Sequence, residues 1–175
     1  MKFPDPDADA PTIPEKHAGE LADRSSVRLW LRLLSCAMTI EKVVRRRLEA
    51  EFGTTLPRFD VLAALDREPD GMSMGALSRT LLVSNGNVTG VVRALVGEGL
   101  VSVEAQARDR RSSLARLTPA GRRHFRRLAR AHHDWIDRLV AGVPPEERDG
   151  LHRALGRLKL SLAAATSTEQ EQEQA

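Results

Sequence analysis

A single change of period constrains this chain more than any other feature. Up to Val96 the apolar residues recur at helical spacing. LVSVEAQ, from residue 100, then alternates every second residue, ARDRRS is polar and turn-like, and SLARLT alternates again. Helical spacing resumes after Thr118. Two alternating segments joined by a turn pair as an antiparallel hairpin, so the sequence predicts a mostly α fold with a small β-hairpin.

The helices can be placed from their apolar positions. Val27, Trp30, Leu31, Leu34, Met38, Val44 and Leu48 mark one long amphipathic helix that Gly53 ends. Phe59, Leu62, Ala63 and Leu65 mark a second, and Met74, Leu77, Ser78 and Leu81 a third of two turns. Ser84 opens a fourth, running to about Val96 and closed by Gly97 and Gly99. Thr118–Pro119 reads as an N-cap with proline in the first turn, opening a helix that carries Phe125, Leu128, Ala129, Trp135, Ile136 and Leu139. A last helix follows PPEER, with Leu151, Leu155, Leu158 and Leu162 near one stripe. Pro57 and Pro144 also suit first turns, and Pro69 lies in a turn-like REPDG stretch. Four of the nine prolines fall in residues 1–14, among acids, so residues 1–24 read as an irregular arm. The polar tail TSTEQEQEQA is expected to fray.

Composition removes several classes. No run of 18 or more apolar residues is present, so no membrane span is expected. One cysteine makes neither an internal disulfide nor a zinc site, which points to a reducing cytoplasm. No Gly-rich phosphate loop, paired-carboxylate motif, Ser/His elbow or metal box appears, so no enzyme, cofactor or metal is expected. The net charge of +3 hides an asymmetry. Residues 1–24 carry three basic and six acidic residues, net −3, whereas residues 76–130 carry eleven arginines against Glu98, Glu104 and Asp109, net +8. Such a block is the electrostatic footprint of a polyanion binder.

The order helix, short helix, helix, hairpin over residues 57–118 is a winged helix-turn-helix. In that arrangement the second helix of the turn enters the DNA major groove and the wing lies against backbone and minor groove. Ser84, Asn85, Asn87 and Thr89 open the recognition helix with short polar side chains, and Arg93 follows Thr89 by one turn. Asparagine suits adenine, arginine suits guanine or phosphate, and the hydroxyls suit either bases or phosphates. Arg108, Asp109, Arg110 and Arg111 crowd the wing tip, the aspartate bracing its neighbours. Gly86 and Gly90 weaken that helix by about 1 kcal/mol each relative to alanine. Either close approach to another surface or packing on the preceding helix accounts for them.

The ordered set FDVLAAL, MGALS, SNGNVTGVVRAL, GLV, DRR and LTPAG resembles the multiple-antibiotic-resistance regulator (MarR) family over residues 27–163. The resemblance implies a homodimeric regulator of transcription on palindromic double-stranded DNA. Repression, released by a small anionic or phenolic effector, is the expected mode. It divides the chain into an arm (1–24), a first dimerisation helix (25–52), the DNA-binding lobe (53–118), C-terminal dimerisation helices (119–163) and a tail (164–175). Independently, the helices outside the lobe are too long for it to cover, which favours a partner chain. A non-catalytic protein-interaction module is the rival reading, and a redox- or metal-responsive regulator is a variant of the first.

Effector residues follow from the same resemblance. Trp30, Arg58 and Asp60 mark the expected ligand cleft. The urate-responding branch pairs such a tryptophan and aspartate with two arginines, but Val91 and Val103 stand at those positions, which argues against urate. Cys36 is expected to be a buried, inert thiol, and there is no tyrosine to activate it. His132 and His133 are adjacent and face different directions, so no zinc set is expected.

Overall fold

The structure, a computed structural model, describes residues 25–106 and 109–173; for residues 105, 106, 109–112 and 167–173 it describes the backbone alone. The acidic arm and Arg108 lie outside the described residues, as do the side chains of Asp109, Arg110 and Arg111. Two compact units divide the chain, one up to Trp135 and one from Ile136. That division falls inside a helix.

In the first unit, α1 (Ser25–Phe52), α2 (Leu56–Arg67), α3 (Met74–Leu81) and α4 (Asn85–Gly97) precede the hairpin β2 (Val101–Gln106) and β3 (Asp109–Leu117), and α5 begins at Pro119. The sheet has three strands rather than two. β1 (Met72–Ser73) adds to the outer edge of β3, with Met72 opposite Ala115 and Ser73 opposite Leu114. Gly71 turns the chain into β1 with φ +90°, and a Cβ there would stand 2.6 Å from Arg116 Cγ and 2.8 Å from Ala115 O. Only glycine meets both demands.

The core is formed by the apolar stripes of these elements. Leu48, Leu62, Leu65, Leu77, Leu95 and Leu128 are fully buried, joined by Val61 and Val88. Phe59 lies between Phe125 (5.7 Å) and a stacked His132 (4.7 Å). The first helix keeps only Leu31, Val44 and Leu48 buried; Trp30 is 59% and Met38 47% exposed, so the described residues cover only part of its expected stripe.

The second unit holds the end of α5, at Leu139, and α6 (Pro145–Glu173). Pro145, not Pro144, is the first helical residue. Helix α6 runs through most of the stretch expected to form a tail, because glutamate and glutamine are good helix formers. Leu151, Leu155, Leu160 and Leu162 on it are exposed. Among the described residues no helix is long and apolar enough to cross a membrane.

Candidate functional site

Helix α4 begins at a serine cap: Asn87 N–H donates to Ser84 Oγ at 3.4 Å. It ends with Gly99 at φ +69°, where Gly99 N–H donates to Val96 O and Leu100 N–H to Leu95 O. This is the Schellman pattern, with glycine in the left-handed position. Val88, Val92 and Leu95 anchor one face in the core. Asn85, Thr89 and Arg93, at intervals of four, share an exposed flank, and Thr89 Oγ1 donates to Asn85 O at 2.8 Å. Asn87 lies round the helix from them, on the side facing α2. The structure therefore brings Asn85, Thr89 and Arg93 together, gives Ser84 a capping role, and separates Asn87. Cβ atoms at Gly86 and Gly90 would meet nothing within 4 Å, so packing on the preceding helix does not explain the two glycines.

The helix-turn-helix corner holds an unusual residue. Leu82 adopts φ 55°, a conformation that usually requires glycine, and its side chain is 91% exposed. Its backbone is fixed by its own N–H and that of Val83, both donating to Ser78 O, and by Ser78 Oγ donating to Val83 O.

The wing is tied to α4 and α5 at Leu100. The Leu100 carbonyl accepts from Thr118 N–H at 3.0 Å and from Thr118 Oγ1 at 3.3 Å; the same hydroxyl also reaches Gly99 O at 2.7 Å. Thr118 caps α5 by accepting Gly121 N–H at 2.9 Å, as expected of Thr-Pro. Across the sheet, Arg116 donates to Asp70 O and to Glu104 Oε2, both at 2.8 Å, fixing the wing against the turn after α2. Of the expected wing-tip residues, Asp109, Arg110 and Arg111 belong to β3 by backbone.

A second feature is a cavity of about 430 Å³ between α2 and α4. Pro57, Asp60 and Val61 form one wall, Leu81 and Val83 the corner, and Gly86, Asn87, Val88, Gly90 and Val91 the other wall. Of the three expected effector residues only Asp60 lines it. Burial, then the Glu41 carboxylate, raise the Asp60 pKa above the ordinary carboxylate range, while Arg45 opposes the shift. Arg58 turns instead to Glu98, with which it forms an ion pair, and its Nε is buried without a partner. Trp30 does not line the cavity. Cys36 is exposed, correcting the expectation of a buried thiol: five positions on from buried Leu31, it lies on the far side of α1. His132 is held by its stack on Phe59, and His124 Nδ1 lies 3.4 Å from Arg127.

Known proteins share this arrangement. A crystal structure of a MarR family transcriptional regulator from Silicibacter pomeroyi is similar at 34% identity, covering 82% of this chain and 99% of that one, with a TM-score of 0.67. The chain belongs to the MarR family. The MarR family model itself matches residues 52–112, the winged helix-turn-helix short of the end of β3. The transcriptional activatory protein BadR of Rhodopseudomonas palustris is 42% identical over 104 residues, which are 58% of this chain and 59% of BadR. The chain thus spans less than two thirds of that relative's length. The transcriptional repressor YetL of Bacillus subtilis is 24% identical over 78% of this chain and 81% of its own. Fold and element order in this MarR family chain agree with the resemblance read from its sequence, with β1 as an addition.

Proposed function

We propose that this chain regulates transcription without catalysis, binding a palindromic operator in double-stranded DNA as a homodimer in the cytoplasm. The exposed flank of α4 carries the reading. Asn85, Thr89 and Arg93 present donors and acceptors on one side of a helix whose opposite side is locked into the core. That geometry suits base edges in the major groove. Ser84 and the first amides of α4 suit phosphate. Asn87 contributes at the margin, and Arg110 and Arg111 grip the minor groove, braced by Asp109, with Arg108 adding positive charge beside them. Leu29, Trp30 and Met38 on α1, with Leu151, Leu155, Leu160 and Leu162 on α6, are exposed apolar residues of the kind a partner chain covers.

Repression is the output we propose, since a dimer seated on a promoter excludes polymerase. By name the relatives divide, BadR being an activatory protein and YetL a repressor. A small molecule releases the DNA; the family resemblance suggests an anionic or phenolic one.

The test is fluorescence anisotropy on duplexes selected from a random library, repeated over a salt series. Affinity is expected to fall by about 10³ or more between 50 and 200 mM salt if six or more phosphates are contacted. Arg93→Ala is expected to cost about 1–3 kcal/mol and relax specificity at one base pair, whereas Arg111→Ala weakens all sequences alike. Salt-independent or absent duplex binding would favour the protein-interaction reading.

A further inference from the structure

The α2–α4 cavity has a lining chemistry of its own. Pro57, Val61, Leu81, Val83, Val88 and Val91 make it apolar, and its volume, about 430 Å³, lies within the range of small-molecule sites. Gly86 and Gly90 leave open space on the α4 wall, where any side chain would project. Asp60 is its one ionisable lining residue, and it makes no ion pair or hydrogen bond among the described residues. Arg45, whose charge acts on it, is engaged by Glu41 at 2.5 Å. Glu41 and Arg45 stand outside the lining, so Asp60 is the acidic group of a wall that, among the described residues, holds no lysine, arginine or histidine.

An anionic ligand would enter a negative, apolar space with no counter-ion, which is costly. A ligand with an apolar body and one positive charge meets both features: the body displaces water from the valines, and the charge pairs with Asp60. We propose that this cavity binds a small hydrophobic cation, such as an aromatic amine, with Asp60 as its counter-ion. As an effector site the proposal rests on the regulator reading and replaces the anionic effector; as a binding site it stands alone. A cation seated there bears directly on α4, because Val88 and Val91 form both cavity wall and recognition helix.

Isothermal titration of the full chain at neutral pH, with naphthylmethylamine, naphthylmethanol and naphthoate as size-matched probes, tests it. The amine is expected to bind roughly tenfold or more tighter than the alcohol, and the carboxylate weakest of the three. Asp60→Asn is expected to remove the amine's advantage while leaving the alcohol unchanged. Gly90→Leu, which fills the space, is expected to abolish binding of both. The proposal is overturned by naphthoate binding as tightly as the amine, by Asp60→Asn leaving the amine unaffected, or by none of the three binding. Amine binding in a protein that ignores duplex DNA would keep the site and refute the regulator reading; DNA binding without amine binding would do the reverse.

Discussion

Replacing Gly121 with alanine would drive a methyl group into the backbone joining the recognition helix to the wing. An ideal Cβ at this position stands 2.0 Å from Leu100 O, 2.9 Å from Leu100 C and 3.3 Å from Leu100 Cα. Ordinary contact begins at about 3.4 Å, so one segment has to retreat by about 1.4 Å. Neither yields cheaply, because the same carbonyl accepts Thr118 N–H and Thr118 Oγ1. Overpacking of this kind costs about 1–3 kcal/mol, and loss of the two hydrogen bonds about 1 kcal/mol each. Alanine returns about 1 kcal/mol of helix propensity. The net expectation is a loss of about 2–4 kcal/mol. With a urea slope of about 2 kcal/mol per molar, the unfolding midpoint drops by about 1–2 M at equal protomer concentration. Gly90→Ala is the control: its Cβ meets nothing within 4 Å, so a gain of about 0.5–1 kcal/mol is expected. A Gly121→Ala protein as stable as the parent would refute the close approach.

Other outcomes follow from the same geometry. Leu82→Asn, which suits the left-handed conformation better, is expected to raise stability by about 0.5–1 kcal/mol and the melting temperature by a few degrees; a fall would mean that the exposed leucine makes a stabilising contact with a partner. Thr118→Val removes a hydroxyl that donates to Gly99 O and accepts from Gly121 N–H, and should cost about 1–2 kcal/mol in urea unfolding. Burial holds the pKa values of His132 and His124 below the ordinary histidine value, helped by His133 and Arg127 respectively, although Glu98 opposes the shift at His124. The unfolded chain then takes up these protons first. Their stability contribution is whole above about pH 6.5 and is lost as pH falls through the lowered native values. Urea midpoints measured at about pH 7.5 and about pH 5.5 should therefore decrease on acidification, and less so in His132→Phe; a midpoint that rises would contradict the assignment.

Sequence pattern exposed what depends on period and neighbours, and concealed what depends on assembly. Ser84 with Gly97 and Gly99 announced α4, Thr118–Pro119 announced the start of α5, and the alternation from Leu100 announced the wing. The strand β1 is two residues long, too short to carry a period, and only its partner β3 makes it a strand. Periodicity placed Trp30 and Met38 on the apolar stripe of α1 but could not tell which parts of that stripe this chain covers. The polar TSTEQEQEQA reads as a fraying tail, yet its glutamates and glutamines carry α6 onward. The cavity joins Asp60 to Val91 across two helices. Its traces in sequence were a carboxylate amid apolar residues in FDVLAAL and two glycines in a helix.

The two tryptophans occupy opposite environments. Trp135 is 4% exposed, with the Phe52 ring at 6.1 Å edge-on and the Arg47 guanidinium 5.8 Å from its centre. Trp30 is 59% exposed on α1. The molecule therefore carries two optical reporters: Trp30→Phe leaves an emission that follows unfolding of the interior, and Trp135→Phe one that follows the surface of α1. Iodide should quench the second far more than the first in an isolated chain. If a second copy seats on α1, that quenching should fade with rising protein concentration, giving a label-free titration of self-association.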